Sequence, residues 1–169
     1  KIQFEDAMAE GMAYMAEAPR PAAVSPYTPD LDLLNPATGA DQIIIAPREF
    51  LTAMQPLVAH RERRGLRVRA VAVEDVYPLF NGGIFHPKAI RTLVAHAHAT
   101  WPGAPVQYLF LVGDGHYNFK AYSLDNYGPF RTVRIPPYLF FDDLNQGEVP
   151  VDARFGDIDG NGMPEVYVG

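Results

Sequence analysis

Cysteine is absent from this chain. That removes disulfides, thiolate metal sites and a cysteine nucleophile from these residues at once. Long apolar runs are missing too, and none approaches the roughly 20 residues a helix needs to span a bilayer. Positive charge is short: 14 Lys and Arg stand against 20 Asp and Glu, a formal net charge of −6. Without a global basic field, whole-surface recruitment of nucleic acid is excluded. What the chain does have is apolar material. Hydrophobic residues make up 48% and aromatics 12% of its 169 residues, which is enough for one domain with a real core and excludes general disorder.

The most informative stretch lies near the carboxyl end, Asp157-Ile158-Asp159-Gly160-Asn161-Gly162-Met163-Pro164-Glu165. Numbered as a calcium loop, Asp157, Asp159 and Asn161 take positions one, three and five, and Gly162 takes the sharp-turn position six. The Met163 carbonyl falls at seven and Glu165 at nine. Calcium is a hard cation that takes six to eight oxygens, and alternation in a tight loop points successive carboxylates inward. The bidentate Glu of position twelve is missing, since Val168 stands there. The loop therefore leads into Val166-Tyr167-Val168 as a strand, not into a second EF-hand helix. An Asp/Asn/Gly-rich hairpin that needs no ion is the competing reading.

Elsewhere the periodicities are those of an α/β protein. Phe4, Met8, Met12 and Met15 recur at helical spacing over residues 1–18, and a Pro/Ala/Asp-rich linker follows to Pro36. Gln42 to Ala46 is a short β-branched run suited to a strand covered on both faces. Phe50, Leu51, Met54, Leu57 and Val58 share a helical face, and Pro56 predicts a break into two helical pieces. Five arginines, Arg61 to Arg69, flank Gly65 and read as dipole and capping chemistry at a helix end. Leu66 to Val73 predicts a second strand, and Asp75 to Phe80 a short helical turn. Pro87 to Thr100 predicts a helix with Ile90, Leu93, Val94 and Ala97 inward, since proline suits a first helical position. Val106 to Val112 is the strongest strand. This alternation predicts parallel βαβ units with right-handed crossovers.

The strongest strand ends in Gly113-Asp114-Gly115-His116, where open α/β sheets place functional groups. A dinucleotide loop is rejected because Asn118 occupies the third glycine position. A dyad of His116 with Asp114 lacks an evident nucleophile. The favoured reading is a structural turn in which the glycines supply unusual backbone angles and Asp114 binds loop amides. Residues 122–148 read as an irregular, aromatic-rich segment that lines a groove or covers a sheet edge. Its Asp142 and Asp143 read as solvated acids, with further oxygen ligation the competing reading.

The order of these pieces resembles the first half of the catalytic domain of gingipain-type cysteine peptidases. The stretches that carry it are Asp41 to Phe50, Pro56-Leu57-Val58 through Val68, Val73 to Tyr77, Asn81 to Ile84, Pro87 to Arg91, Tyr108 to Gly115 and Asp152 to Gly169. His116 departs from the small residue usual there, and His86 departs from the Asp that usually caps the helix. The resemblance implies a three-layer, mostly parallel open α/β sheet, caspase- or gingipain-like and Rossmann-like. It covers residues 40–169, an α/β subdomain truncated at its carboxyl end, and leaves residues 1–39 as the N-terminal helix and linker read from periodicity and composition.

By the same resemblance, the catalytic His and Cys lie in a following half-domain, beyond Gly169, so this chain supplies no catalytic residue. It also implies a secreted or cell-surface cysteine endopeptidase. The partners are then the rest of the catalytic domain and, through it, protein or peptide substrates, with no nucleic acid and no membrane span. Calcium sites recur in that family, in agreement with the loop formed by Asp157, Asp159, Asn161, Met163 and Glu165. The competing function is a non-catalytic, calcium-stabilised surface or adhesion module, because the acidic loop also resembles those of propeller-type repeats. Such repeats need several copies to bury a core, and this chain shows one.

Overall fold

Three consecutive isoleucines set the centre of the sheet. In the computed structural model, which describes residues 27–119, 133–143 and 147–169, Ile43, Ile44 and Ile45 are all completely buried. They form β1 (Gln42–Ala46), and full burial on both faces explains why this strand shows no polar alternation. The order across the four-stranded sheet is β2-β1-β3-β6, with β2 at Val68–Ala72, β3 at Tyr108–Leu111 and β6 at Tyr167–Val168. All three pairings are parallel. Among the described residues β2 is therefore an edge strand, not a central member of the sheet.

The crossovers decide which face each helix covers. From β1 the chain steps to one side through α1 (Leu51–Arg63) and reaches β2. It then returns over β1 through α2 (Val73–Asn81) and α3 (Pro87–Thr100) to reach β3. Right-handed crossovers running in opposite directions place α1 on one face and the α2–α3 pair on the other. The main core lies under α2 and α3. Ile43, Ile45, Val71 and Leu109 meet Val76, Ile90, Leu93 and Val94 there. The inward row expected for α3 is buried as expected. His86 caps that helix, its Nδ1 accepting the Lys88 amide at 3.1 Å, so imidazole does the work of the usual carboxylate.

Several boundaries differ from expectation for physical reasons. Pro56 sits inside one continuous helix, so the predicted break does not occur. The proline costs the bond to the Thr52 carbonyl, but both residues are exposed, so water can take that oxygen. The second strand stops at Ala72, because Val73 already starts α2, a nine-residue helix where only a short turn was expected. The third strand is shorter than Val106 to Val112, and Leu111 is only half-buried. The expected irregular segment contains a two-stranded antiparallel sheet, β4 (Leu139–Asp143) with β5 (Gly147–Pro150). Of the predicted linker, residues 31–33 form a 3-10 turn whose Leu33 is buried in the core. The helix predicted over residues 1–18 lies outside the described residues, as do Tyr122, Tyr127 and Phe130. Among the described residues no helix is long and apolar enough to cross a membrane.

Candidate functional site

The acidic loop is built on a tight neck. Gly156 follows the 3-10 turn Asp152–Phe155, and its carbonyl accepts the amides of Glu165 and Val166 at 3.0 and 3.3 Å. A Cβ on Gly156 would lie 2.1 Å from the Val166 oxygen, so only glycine fits that close approach. Phe155 and Val166 are fully buried on either side of the neck. Arg91 on α3 anchors the loop from below, its Nε donating to the Asp157 carbonyl at 2.6 Å and its Nη2 to the Ile158 carbonyl at 3.4 Å. After the loop the chain enters β6, the strand expected in place of an EF-hand helix.

Within the loop, Asp157, Asp159 and Glu165 bring one carboxylate oxygen each to within 4.8 Å of one another. Asp157 is buried, while Asp159 and Glu165 are exposed. Each carboxylate also accepts an amide of the loop itself: Gly160 to Asp157 Oδ1 and Asn161 to Asp159 Oδ1, both at 2.9 Å, and Ile158 to Glu165 Oε2 at 2.7 Å. These bonds pre-shape the turn, and Gly160 and Gly162 supply the positive φ angles of 84° and 91° it requires. Asn161 is placed differently. Its Nδ2 donates to Asp159 Oδ2 at 2.9 Å and its Oδ1 accepts the Met163 amide at 2.7 Å. The three acids thus converge, and Asn161 braces them. An all-oxygen set of hard donors suits calcium or magnesium over softer metals.

A second feature opens beyond the carboxyl ends of β3 and β6. It is a cleft of about 500 Å³, floored by Leu111, Ile135 and Phe155 and walled by Asp114, His116 and Glu148. The turn at its lip is structural in the expected sense, with two changes of detail: of its two glycines only Gly113 takes a positive φ, and the acceptor on Asp114 is its backbone. Gly113 has φ 137°, and a Cβ there would lie 2.6 Å from Arg134 Cβ. The Asp114 backbone carbonyl, not its side chain, accepts the amides of Arg134 and Ile135 at 2.9 and 3.3 Å. His116 Nδ1 accepts the Asn118 amide at 3.1 Å, which ties the ring to its own turn. Burial raises the Tyr138 phenol above its ordinary value, and its ring packs edge-on against Phe155 at 4.9 Å.

Arg91, Glu148 and Asp152 are the residues that sequence reasoning missed. Arg91 reads as an ordinary polar position of an amphipathic helix, and only the tertiary fold brings it under a loop 66 residues away. Glu148 and Asp152 reach the cleft because the chain turns back through β4 and β5, for which no local periodicity gave a signal.

Comparison with known proteins places the chain in a family. The model of Peptidase family C25 matches residues 35–169. Comparison with curated proteins gives no match. Among solved structures, the chain is similar to the crystal structure of dimeric latent PorU from Porphyromonas gingivalis, with a TM-score of 0.57 and 23% identity. That likeness covers 77% of this chain and 14% of the PorU chain. It bears on the fold, and it agrees with the mostly parallel α/β sheet.

Proposed function

The chain belongs to peptidase family C25, the gingipain family, and from that premise we propose that it is the first α/β part of a cysteine endopeptidase catalytic domain. The observation that carries this reading is the family match over residues 35–169 in a chain without cysteine. A thiol peptidase needs a thiolate to attack the scissile carbonyl and a histidine to activate it. The nucleophile is then supplied by sequence outside these 169 residues, and this part serves as its buttress. The small share of the PorU chain covered, 14%, is consistent with that division. Protein or peptide substrates follow for the whole enzyme, and a secreted or cell-surface setting follows from the resemblance.

The acidic loop takes a supporting role in this proposal. Asp157, Asp159 and Glu165 would hold one calcium ion, with the Met163 carbonyl and the second lone pair of Asn161 Oδ1, whose first accepts the Met163 amide, completing the loop's oxygen ligands. What supports this is the convergence of three carboxylates on a neck fixed by Gly156 and Arg91. A bound calcium supplies positive charge that offsets their mutual repulsion, and no step of catalysis is assigned to it.

The test is incubation of the 169-residue chain with a broad peptide library, with and without reductant. The expected result is no cleavage, because no thiol is present and the Gly113–His116 turn offers no substitute. Cleavage that vanishes in His116→Ala would overturn the reading and assign the chemistry to the cleft.

A further inference from the structure

Asp75 has no part in this reading, yet it is only 4% exposed. It sits in the first turn of α2 and gathers three donors from two separate parts of the chain. Tyr27 donates its hydroxyl to Oδ1, the Asp30 amide donates to the same oxygen at 3.2 Å, and Arg48 Nη2 donates to Oδ2 at 2.8 Å. Arg48 also donates to the Tyr27 hydroxyl and lies over the Tyr27 ring, 5.7 Å from its centroid. The Arg48 backbone amide is held by the Glu74 carboxylate at 3.0 Å. All of this lies just past the carboxyl ends of β1 and β2.

The residues following Tyr27 are held quite differently. Leu33 is buried in the core, and its carbonyl accepts Trp101 Nε1 at 3.1 Å. His96 Nε2 bonds the Leu34 carbonyl at 2.7 Å. Between the two ends, Arg69 on β2 reaches Asp32 at 2.7 Å and Asp30 at 3.3 Å. Those two acids are half exposed, and such pairs hold weakly in water. Leu31 and Tyr27 are themselves exposed.

We propose that residues 27–34 are a strap with a fixed end at Leu33 and a releasable end at Tyr27, latched by the phenol on the Asp75–Arg48 pair. The fixed end rests on apolar burial, which yields only with the core. The latched end rests on polar contacts and on Arg48 lying over the Tyr27 ring, with no fully buried apolar side chain. Closed is the resting position, since opening would leave a buried carboxylate with one donor where it had three. When closed, the strap lies along the β2 side of the sheet and holds Tyr27 at the sheet's carboxyl edge. When open, it frees that side, with residues 27–32 turning away about Leu33. This inference is independent of whether the parent enzyme cleaves peptides.

Hydrogen exchange of the Asp30 amide reads the latch directly, because that amide is bonded to Asp75 itself. In Tyr27→Phe the ring still covers Arg48 while the latching hydroxyl is gone. Its Asp30 amide should exchange faster by about tenfold, while the amides of Ile44 and Leu93 keep their rates, as local opening requires. Asp75→Asn is the second variant and should give the same pattern with a larger effect. An Asp30 rate unchanged in Tyr27→Phe would overturn the latch. A rate that rises together with those of Ile44 and Leu93 would overturn the separate opening of the strap, and Tyr27→Phe decides the matter if Asp75→Asn does not fold.

Discussion

Asp41 is the residue on which the amino end of the sheet is hung. Its carbonyl accepts the amides of Gln107 and Tyr108, and its own amide donates to the Arg67 carbonyl at 2.8 Å, so one residue ties β1 to both neighbours. Its carboxylate is gripped by Arg67 in a two-pronged pair, Nη2 at 2.6 Å and Nε at 3.1 Å, and it also accepts the Arg67 amide. Arg67 in turn reaches the carbonyls of Pro102 and Ala104. The side-chain bond from Arg67 holds the Asp41 carboxyl below its ordinary value, against the opposing effect of burial. A depressed carboxyl stabilises the fold above the unfolded pKa of about 3.9, and that stability is lost as pH falls through the lower folded value. Asp41→Asn should therefore melt lower than the native chain at neutral pH, with the gap closing below about pH 4. Melting curves at pH 7 and pH 3 check this, and an equal gap at both would mean that the charge of Asp41 contributes nothing.

At the scale of elements, the difference between α1 and α3 shows what periodicity can and cannot deliver. Both helices carry an apolar row at helical spacing. In α3 that row is fully buried, whereas α1 buries no residue completely. Spacing reveals which face turns inward, but not how much protein lies above that face. The interior strands were legible because full burial on both faces demands an unbroken apolar run, as at Ile43 to Ile45. The hairpin of β4 and β5 was not legible, since its exposed Phe140 and Phe141 defeat an alternation of apolar and polar residues. The acidic loop was legible through its glycines and alternating acids, whereas Arg91 beneath it depends on the crossover that carries α3 over the sheet. Ile44 tests the sheet itself. It points away from Ile43 and Ile45, toward the α1 face, and is completely buried. Ile44→Ala should cost about 2–5 kcal/mol through the cavity it leaves. A loss below about 1 kcal/mol in denaturant unfolding would show that α1 packs too loosely to make this face a core.

For the molecule as a whole, the acidic loop is where distant parts of the chain are joined. It is pinned to α3 through Arg91, to the cleft floor through Phe155, and to the sheet through β6, whose Tyr167 pairs with Tyr108 of β3. Anything that tightens the loop therefore tightens the contact between the last strand and the rest of the fold. Three carboxylates within 4.8 Å repel one another without a cation, and the chain as a whole carries a net charge of −6 that adds to the strain. An ion that binds only the folded state raises stability by RT ln(1 + [L]/Kd), about 2.7 kcal/mol at a hundredfold excess over Kd. The expected outcome is a higher melting temperature in millimolar calcium than in chelator. Asp159→Ala should abolish most of that difference, because it removes one of the converging oxygens and leaves the Gly156 neck and the Arg91 anchor in place. Its melting temperature in chelator should stay close to that of the native chain, since Asp159 is exposed and bonds only within the loop. If calorimetry gives the native chain the same melting temperature with calcium and with chelator, the loop is an acidic hairpin held by its own amides, and the join between β6 and α3 needs no ion.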